Sequence, residues 1–184
     1  MKIPVLLLSA VVLSSTANGQ PARRSGFTME FGIGYGGLEI ANLDQYGPEK
    51  VNTGFEPHAL SFGGFITNKL ALMARWKSTY QIMQRGPDDS VHRFLGTLTA
   101  HAQWWFAERW FMGGGLGVAA FGFGFGSEPN DPAWSFGGGT SARIGFAFAR
   151  LKHHAFIVSV EVVAGFFRHG AAAGETANLS WQFY

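Results

Sequence analysis

The sequence predicts an all-β chain: eight antiparallel strands closed into an up-and-down barrel that crosses a membrane, behind a signal peptide. Three observations carry this. Apolar residues recur at every second position over long stretches, the period of a strand with one apolar and one polar face. Charged residues are only 14% of the chain, against about 25% in a typical soluble domain. A water-facing surface needs more charge than this, whereas a lipid-facing one does not. Finally, residues 176–184 form a strand ending on aromatics. In an open sheet that edge invites aggregation; in a barrel it pairs with the first strand.

The leader comes first. Lys2 supplies a short positive region, 5–13 are apolar but too few to span a bilayer, and Ala17-Asn18-Gly19 offers small residues at the cleavage positions. Residues 1–19 therefore read as a signal peptide, 20–25 as a short periplasmic lead and 26–184 as the barrel. There are no cysteines, so an exported chain must draw its stability from a core or a membrane.

Strand one is 26–41, with Phe27, Met29, Phe31, Ile33 and Tyr35 on one face. Residues 42–54 contain Gly47-Pro48 and read as the longest loop. Strand two is 55–66, with Pro57 near its start, where a missing donor is tolerable. Strand three, 70–83, sets Leu72, Trp76 and Tyr80 opposite Arg75, Lys77 and Gln81. Strand four, 91–106, follows the loop 84–90 and sets Phe94, Leu98 and Trp104 opposite Arg93, Thr97 and His101. In strand five, 110–125, Met112, Leu116 and Val118 keep one parity and Phe121, Phe123 and Phe125 the other. A β-bulge near Ala119-Ala120 is the expected cause. Strand six is 134–151 and strand seven 155–168, with Arg143 and Glu161 on their polar faces. A Gly/Ala loop, 169–175, precedes strand eight. Longer loops thus follow strands one, three, five and seven, and short turns the others, the asymmetry of bacterial barrels with short periplasmic turns. That places both termini in the periplasm. Two aromatic girdles are expected: Trp104, Trp105, Phe106, Trp110, Phe146, Phe148 and Trp181 near the turns, and Tyr35, Tyr80, Phe94, Trp134, Phe136 and Phe166 near the loops.

Residue size decides which face is inside. An eight-stranded barrel has room only for side chains. The polar face is mostly Gly, Ser, Ala and Thr, punctuated by Glu30, Arg75, Lys77, Arg93, Arg143 and Glu161. These are expected to form an ion network across the lumen, with a specific pair between Arg143 and Glu161, which oppose each other about the turn near Lys152. The bulky face meets lipid. A lipocalin would be the inverse.

Ala177, Leu179, Trp181 and Phe183 alternate to the end, and Tyr184 falls out of step with them. This ending resembles the C-terminal signature strand of bacterial outer-membrane β-barrels. The chain resembles the small eight-stranded family that includes the OmpA- and OmpX-like barrels. The resemblance implies outer-membrane localisation, contact with outer-membrane lipid and lipopolysaccharide, and insertion by the barrel-assembly machinery and periplasmic chaperones. Leu179, Trp181, Phe183 and Tyr184 are then the assembly signal. A monomer is expected. No domain is expected beyond Tyr184 to anchor the chain to peptidoglycan.

Chemical motifs are weak. Gly32-Ile33-Gly34-Tyr35-Gly36-Gly37 matches a dinucleotide fingerprint, but strand alternation runs straight through it with no helix opening. The histidines show no zinc spacing, and no cofactor or metal is expected. His101 alone faces inward mid-strand. Ser90 with His92, and Ser159 with Glu161, lie in a loop or the lumen, not on the lipid-facing side where a deacylase needs its triad. The net charge of +2, without a basic cluster, is too small to argue for nucleic acid, and none is expected as a partner. The leading function is a non-catalytic structural or surface-interaction role with a plugged lumen. The alternatives are a narrow conduit for small apolar molecules and a lipid-modifying enzyme.

Overall fold

The computed structural model describes residues 24–41, 52–84, 90–123 and 134–184. The expected signal peptide, 1–19, and the three longer connections lie outside these residues. Eight strands follow one another: β1 (Gly26–Ala41), β2 (Asn52–Phe65), β3 (Leu70–Gln84), β4 (Ser90–Trp104), β5 (Trp110–Phe123), β6 (Ser135–Arg150), β7 (His154–Phe167) and β8 (Gly170–Phe183). Each pairs antiparallel with the next, and β8 pairs with β1, so the barrel is closed. Closure satisfies the backbone of every strand without water, which a hydrocarbon environment demands.

The register sets the shape. Partners in register lead from Glu30 through Ser61, Arg75, Thr99, Gly117, Gly139, Gly165 and Ala172 back to β1 at Ile40. The circuit returns ten residues along the strand, from 30 to 40. A barrel with that stagger has strands tilted by roughly 35–45° and an interior that side chains fill.

The two faces separate as their chemistry requires. Phe31, Val160 and Phe136 are 50%, 55% and 76% exposed, on the outside. Arg75, Glu30 and Glu161 are at most 1% exposed, inside. This wall of exposed Phe, Leu, Val and Trp is a lipid-facing surface.

Three tight turns close one end, at 66–69, 105–109 and 151–153. In the first, Thr67 Oγ1 accepts hydrogen bonds from the N–H groups of Lys69 (3.2 Å) and Leu70 (3.0 Å), a hydroxyl-capped turn that fixes the hairpin register.

Three expectations need correction. Strand eight begins at Gly170, not after 175, so β7 and β8 are joined by Arg168-His169 alone. The small residues 170–175 pair with β7 and β1 instead of looping, and the alternation of long and short connections fails there. Strand five has no bulge: its register with β4 and β6 is unbroken from Met112 to Phe121. Phe121 points into the barrel, 2% exposed. Trp105 is likewise buried inside, 1% exposed, and belongs to no girdle. Register shifts occur instead at Gly32/Gly34, Phe55/Ala59 and Ala147/Ala149. Pro57 lies within the second, where its missing N–H costs no ladder bond.

Candidate functional site in the lumen

The inside of the barrel is filled in layers. At mid-barrel a continuous chain of charges crosses it. Arg143 of β6 grips Glu30 of β1 with both terminal nitrogens (Nη1–Oε2 2.8 Å, Nη2–Oε1 2.5 Å). Glu30 Oε1 lies 3.7 Å from Arg75 Nη1. Arg75 of β3 in turn grips Glu161 of β7, four strands away on the opposite wall (Nε–Oε1 2.8 Å, Nη2–Oε2 2.6 Å). Lys77 Nζ sits 3.4 Å from Glu161 and 3.3 Å from Glu56. Three cations meet three carboxylates. Fork-to-carboxylate pairing of this kind is directional as well as strong.

Small hydroxyls finish the coordination. Ser61 accepts from Arg75 Nη1 (2.6 Å), Ser159 from Arg143 Nε (3.1 Å) and Thr176 from Lys77 Nζ. Buried ions need such extra partners, because desolvation outweighs a bare ion pair. Gly34 makes room: a Cβ there would overlap Asn178 Oδ1 and Glu56 Oε2. His101 is buried and its Nδ1 lies 3.1 Å from Ser141 Oγ.

Below the charges, toward the turns, come amides. Gln103 donates to Gln182 (3.2 Å), which donates to Thr28 (3.1 Å). Beneath them Trp105, Phe111, Ala147, Ala155, Ile157 and Tyr184 form an apolar layer. Gly145 is bare because the Phe111 ring occupies its side-chain space. The Trp105 and Phe111 rings lie 4.9 Å apart, and Arg143 stands 4.8 Å over Phe111. Arg24, just ahead of β1, closes this end. Its guanidinium lies 3.8 Å over Trp105 and donates to the Glu108 carbonyl at 2.6 Å. Burial and the neighbouring Arg150 lower Arg24 to about 10, so it is still a cation at neutral pH and the π contact holds. Toward the other end, Leu38, Leu95, Ala119, Phe121, Val163 and Ala172 form a second apolar layer, with Ile40 and Phe167 against it.

Of the six lumen residues expected from sequence, the structure joins Glu30, Arg75, Lys77, Arg143 and Glu161. Arg93 is buried in the barrel too, but two residues beyond Leu95, in register with Gln81 and Phe123 and past the second apolar layer. The expected Arg143–Glu161 pair does not form. The two are directly opposed in register, as expected, yet each reaches across the lumen to another strand. Arg75 already holds both oxygens of Glu161, and Glu30 offers Arg143 both of its own.

Glu56 was missed. Simple alternation back from Leu60 and Phe62 puts it outside, and the shift at Pro57 turns it inward. That proline was the available signal. Of the terminal residues, Leu179, Trp181 and Phe183 face outward and Tyr184 inward, edge-on to Phe65 at 5.9 Å between ring centroids. Tyr184 is out of step with the apolar series because it belongs to the inner one. Among the suspected catalytic residues, Ser159 is spent on Arg143 and Glu161 on Arg75, while His92 meets Tyr80 on the outer wall. Among the described residues no group of three or more potential ligands is placed to hold a metal.

A lipid-facing wall around a charged interior is the fold of a transmembrane β-barrel of the small outer-membrane type. No protein-family model matches the chain, and no curated protein matches it. Solved structures do. The chain is similar to Ail, the attachment invasion locus protein of Yersinia pestis, solved with the heparin analogue sucrose octasulfate (15% identity, TM-score 0.59, 86% of this chain and 99% of that one). It is similar to Neisserial surface protein A (13%, 0.59, 86% and 97%), and to Ail in a phospholipid bilayer nanodisc (13%, 0.51, 86% and 99%). At these identities the likeness is one of fold: an OmpA/OmpX-like eight-stranded outer-membrane barrel.

Proposed function

We propose that the chain is a non-catalytic outer-membrane barrel with both termini periplasmic, a closed lumen, and a structural or surface-interaction role. The observation that carries this is the double Arg–carboxylate bridge across the lumen, between an apolar layer on each side. A conduit needs a continuous path of water or of weak sites, and bidentate pairs between opposite walls argue against both. The roles of Ser159 and Glu161 in that bridge also remove them from any hydrolytic arrangement.

Surface work falls to the segments at the far end from the tight turns. Segments 42–51, 85–89 and 124–133 contain Asp44, Glu49, Asp88, Asp89, Glu128 and Asp131 against Lys50 and Arg85. Ail binds a sulfated heparin analogue. This charge balance opposes such a ligand here and favours a neutral or cationic partner. Assembly is proposed to use the outward Leu179, Trp181 and Phe183 with the inward Tyr184, so Trp181→Ser with Phe183→Ser should leave protease-sensitive chain in the periplasm.

Planar-bilayer recording of the purified, refolded chain tests the closed lumen. The expected result is a silent bilayer. A steady ohmic conductance would reverse the reading in favour of a narrow conduit.

A further inference from the structure

Each of the three tight turns sets a cation at the edge of the lipid-facing wall. Lys69 directly precedes Leu70 of β3, Arg109 directly precedes Trp110 of β5, and Lys152 lies two residues before His154 of β7. Lys69 and Lys152 are exposed and Arg109 is half-buried. Exposed aromatics border them on the wall: Trp104, Phe106, Trp110, Phe148 and Phe183. Aromatic belts lie at the membrane–water boundary, so cations one or two residues past them sit at headgroup depth.

Little at this rim opposes the cations. Glu108 is the one carboxylate in the three turns, and Arg150 holds it at 2.8 Å. Among the described residues the net exposed charge at the other rim is of the opposite sign. Glu39 and Glu175 are exposed on the outer wall there, with Arg168 as the described cation.

We propose that the turn-end rim binds the phosphate groups of anionic phospholipids. Lys69 and Lys152 can extend flexible stems along the wall to a headgroup, and Arg109 can present its fork to a phosphate. The distribution favours lipid over a protein partner. The three turns are two strands apart around a closed ring of eight, so the cations are spread about the circumference. A protein would meet one side of that ring, whereas annular lipid meets all of it. The inference rests on the membrane-barrel reading but not on the closed lumen, and a conducting barrel would leave it intact.

The test is lipid selectivity of the folded full chain in phosphatidylcholine bilayers carrying trace spin-labelled lipid. At low salt the protein should hold labelled phosphatidylglycerol about five-fold more than labelled phosphatidylcholine, the effect of roughly one well-placed cation. The preference should shrink toward unity in about 1 M salt, where the screening length is about 3 Å. K69Q/R109Q/K152Q should abolish it at low salt, and E39Q/E175Q should not. Equal association of the two lipids with the unaltered chain at low salt would overturn the proposal. So would a preference that survives high salt or the triple substitution. If the triple variant does not insert, the salt series on the unaltered chain decides alone.

Discussion

At mid-barrel, Arg143, Glu30, Arg75 and Glu161 fill the lumen with paired charge. A few residues toward the turns, Trp105, Phe111, Ile157 and Tyr184 fill the same narrow space with hydrocarbon. The energetics of the two fillings differ. The apolar layer gains from every buried atom and is tolerant of shape changes that preserve volume. The charged layer gains little net, since desolvation offsets attraction, and it loses heavily when one partner is removed. The comparison teaches what each layer specifies. The apolar layer specifies volume and packing at the turn end of the barrel. The charged layer fixes which strands face each other, because Arg75 and Glu161 meet only if β3 and β7 stand opposite in the observed register.

The sharpest way to break the contrast is to strand a charge. Glu30→Gln removes the anion that serves Arg143 through two bonds and lies beside Arg75. Urea unfolding in lipid vesicles should show a loss of about 3–5 kcal/mol. A loss below about 1 kcal/mol would mean that water already solvates those guanidinium groups. In the apolar layer, Phe111→Ala deletes a ring packed on Trp105 and under Arg143. About 3 kcal/mol is expected in the same assay, and Phe111→Leu should recover most of it, because volume rather than chemistry is at stake there. The smallest effect belongs to Arg24, at the edge of the apolar layer. Arg24→Met keeps the stem over Trp105 and removes the cation, and should cost about 1 kcal/mol. Its readout is a lower midpoint of unfolding with an unchanged slope, since the surface exposed on unfolding is the same.

Much of this architecture was legible in the residues. β1 runs from Gly26 to Ala41 as the alternation predicts, because Phe27 through Tyr35 and the glycines between them sort cleanly by size. Two of the errors share one cause: polarity was taken as the mark of the inner face. Phe111, Phe121, Leu95 and Tyr184 all sit on inward parity, but they are apolar, so Phe121 suggested a bulge that is absent and Trp105 a girdle it does not join. Parity was the better guide, except at Pro57, where a real register shift turned Glu56 inward. β8 was cut short because 170–175 is rich in Gly and Ala, which read as loop while small side chains are what a crowded seam admits. The partners of Arg143 and Glu161 were beyond local reasoning. Their opposition on β6 and β7 is a matter of local register, but the choice between a neighbour and a carboxylate across the lumen depends on the closed barrel as a whole.

That choice is the central claim, and two double-mutant cycles measure it directly. The first takes Arg75→Met and Glu161→Gln singly and together, and the second takes Arg143→Met and Glu161→Gln, all by urea unfolding in vesicles. The account expects a coupling of about 2–3 kcal/mol between Arg75 and Glu161, with much of the Glu161→Gln loss recovered in the double variant, and less than about 0.5 kcal/mol between Arg143 and Glu161. A strong coupling in the second cycle and none in the first would contradict it, because it would show that the two residues opposed on β6 and β7 pair with each other after all.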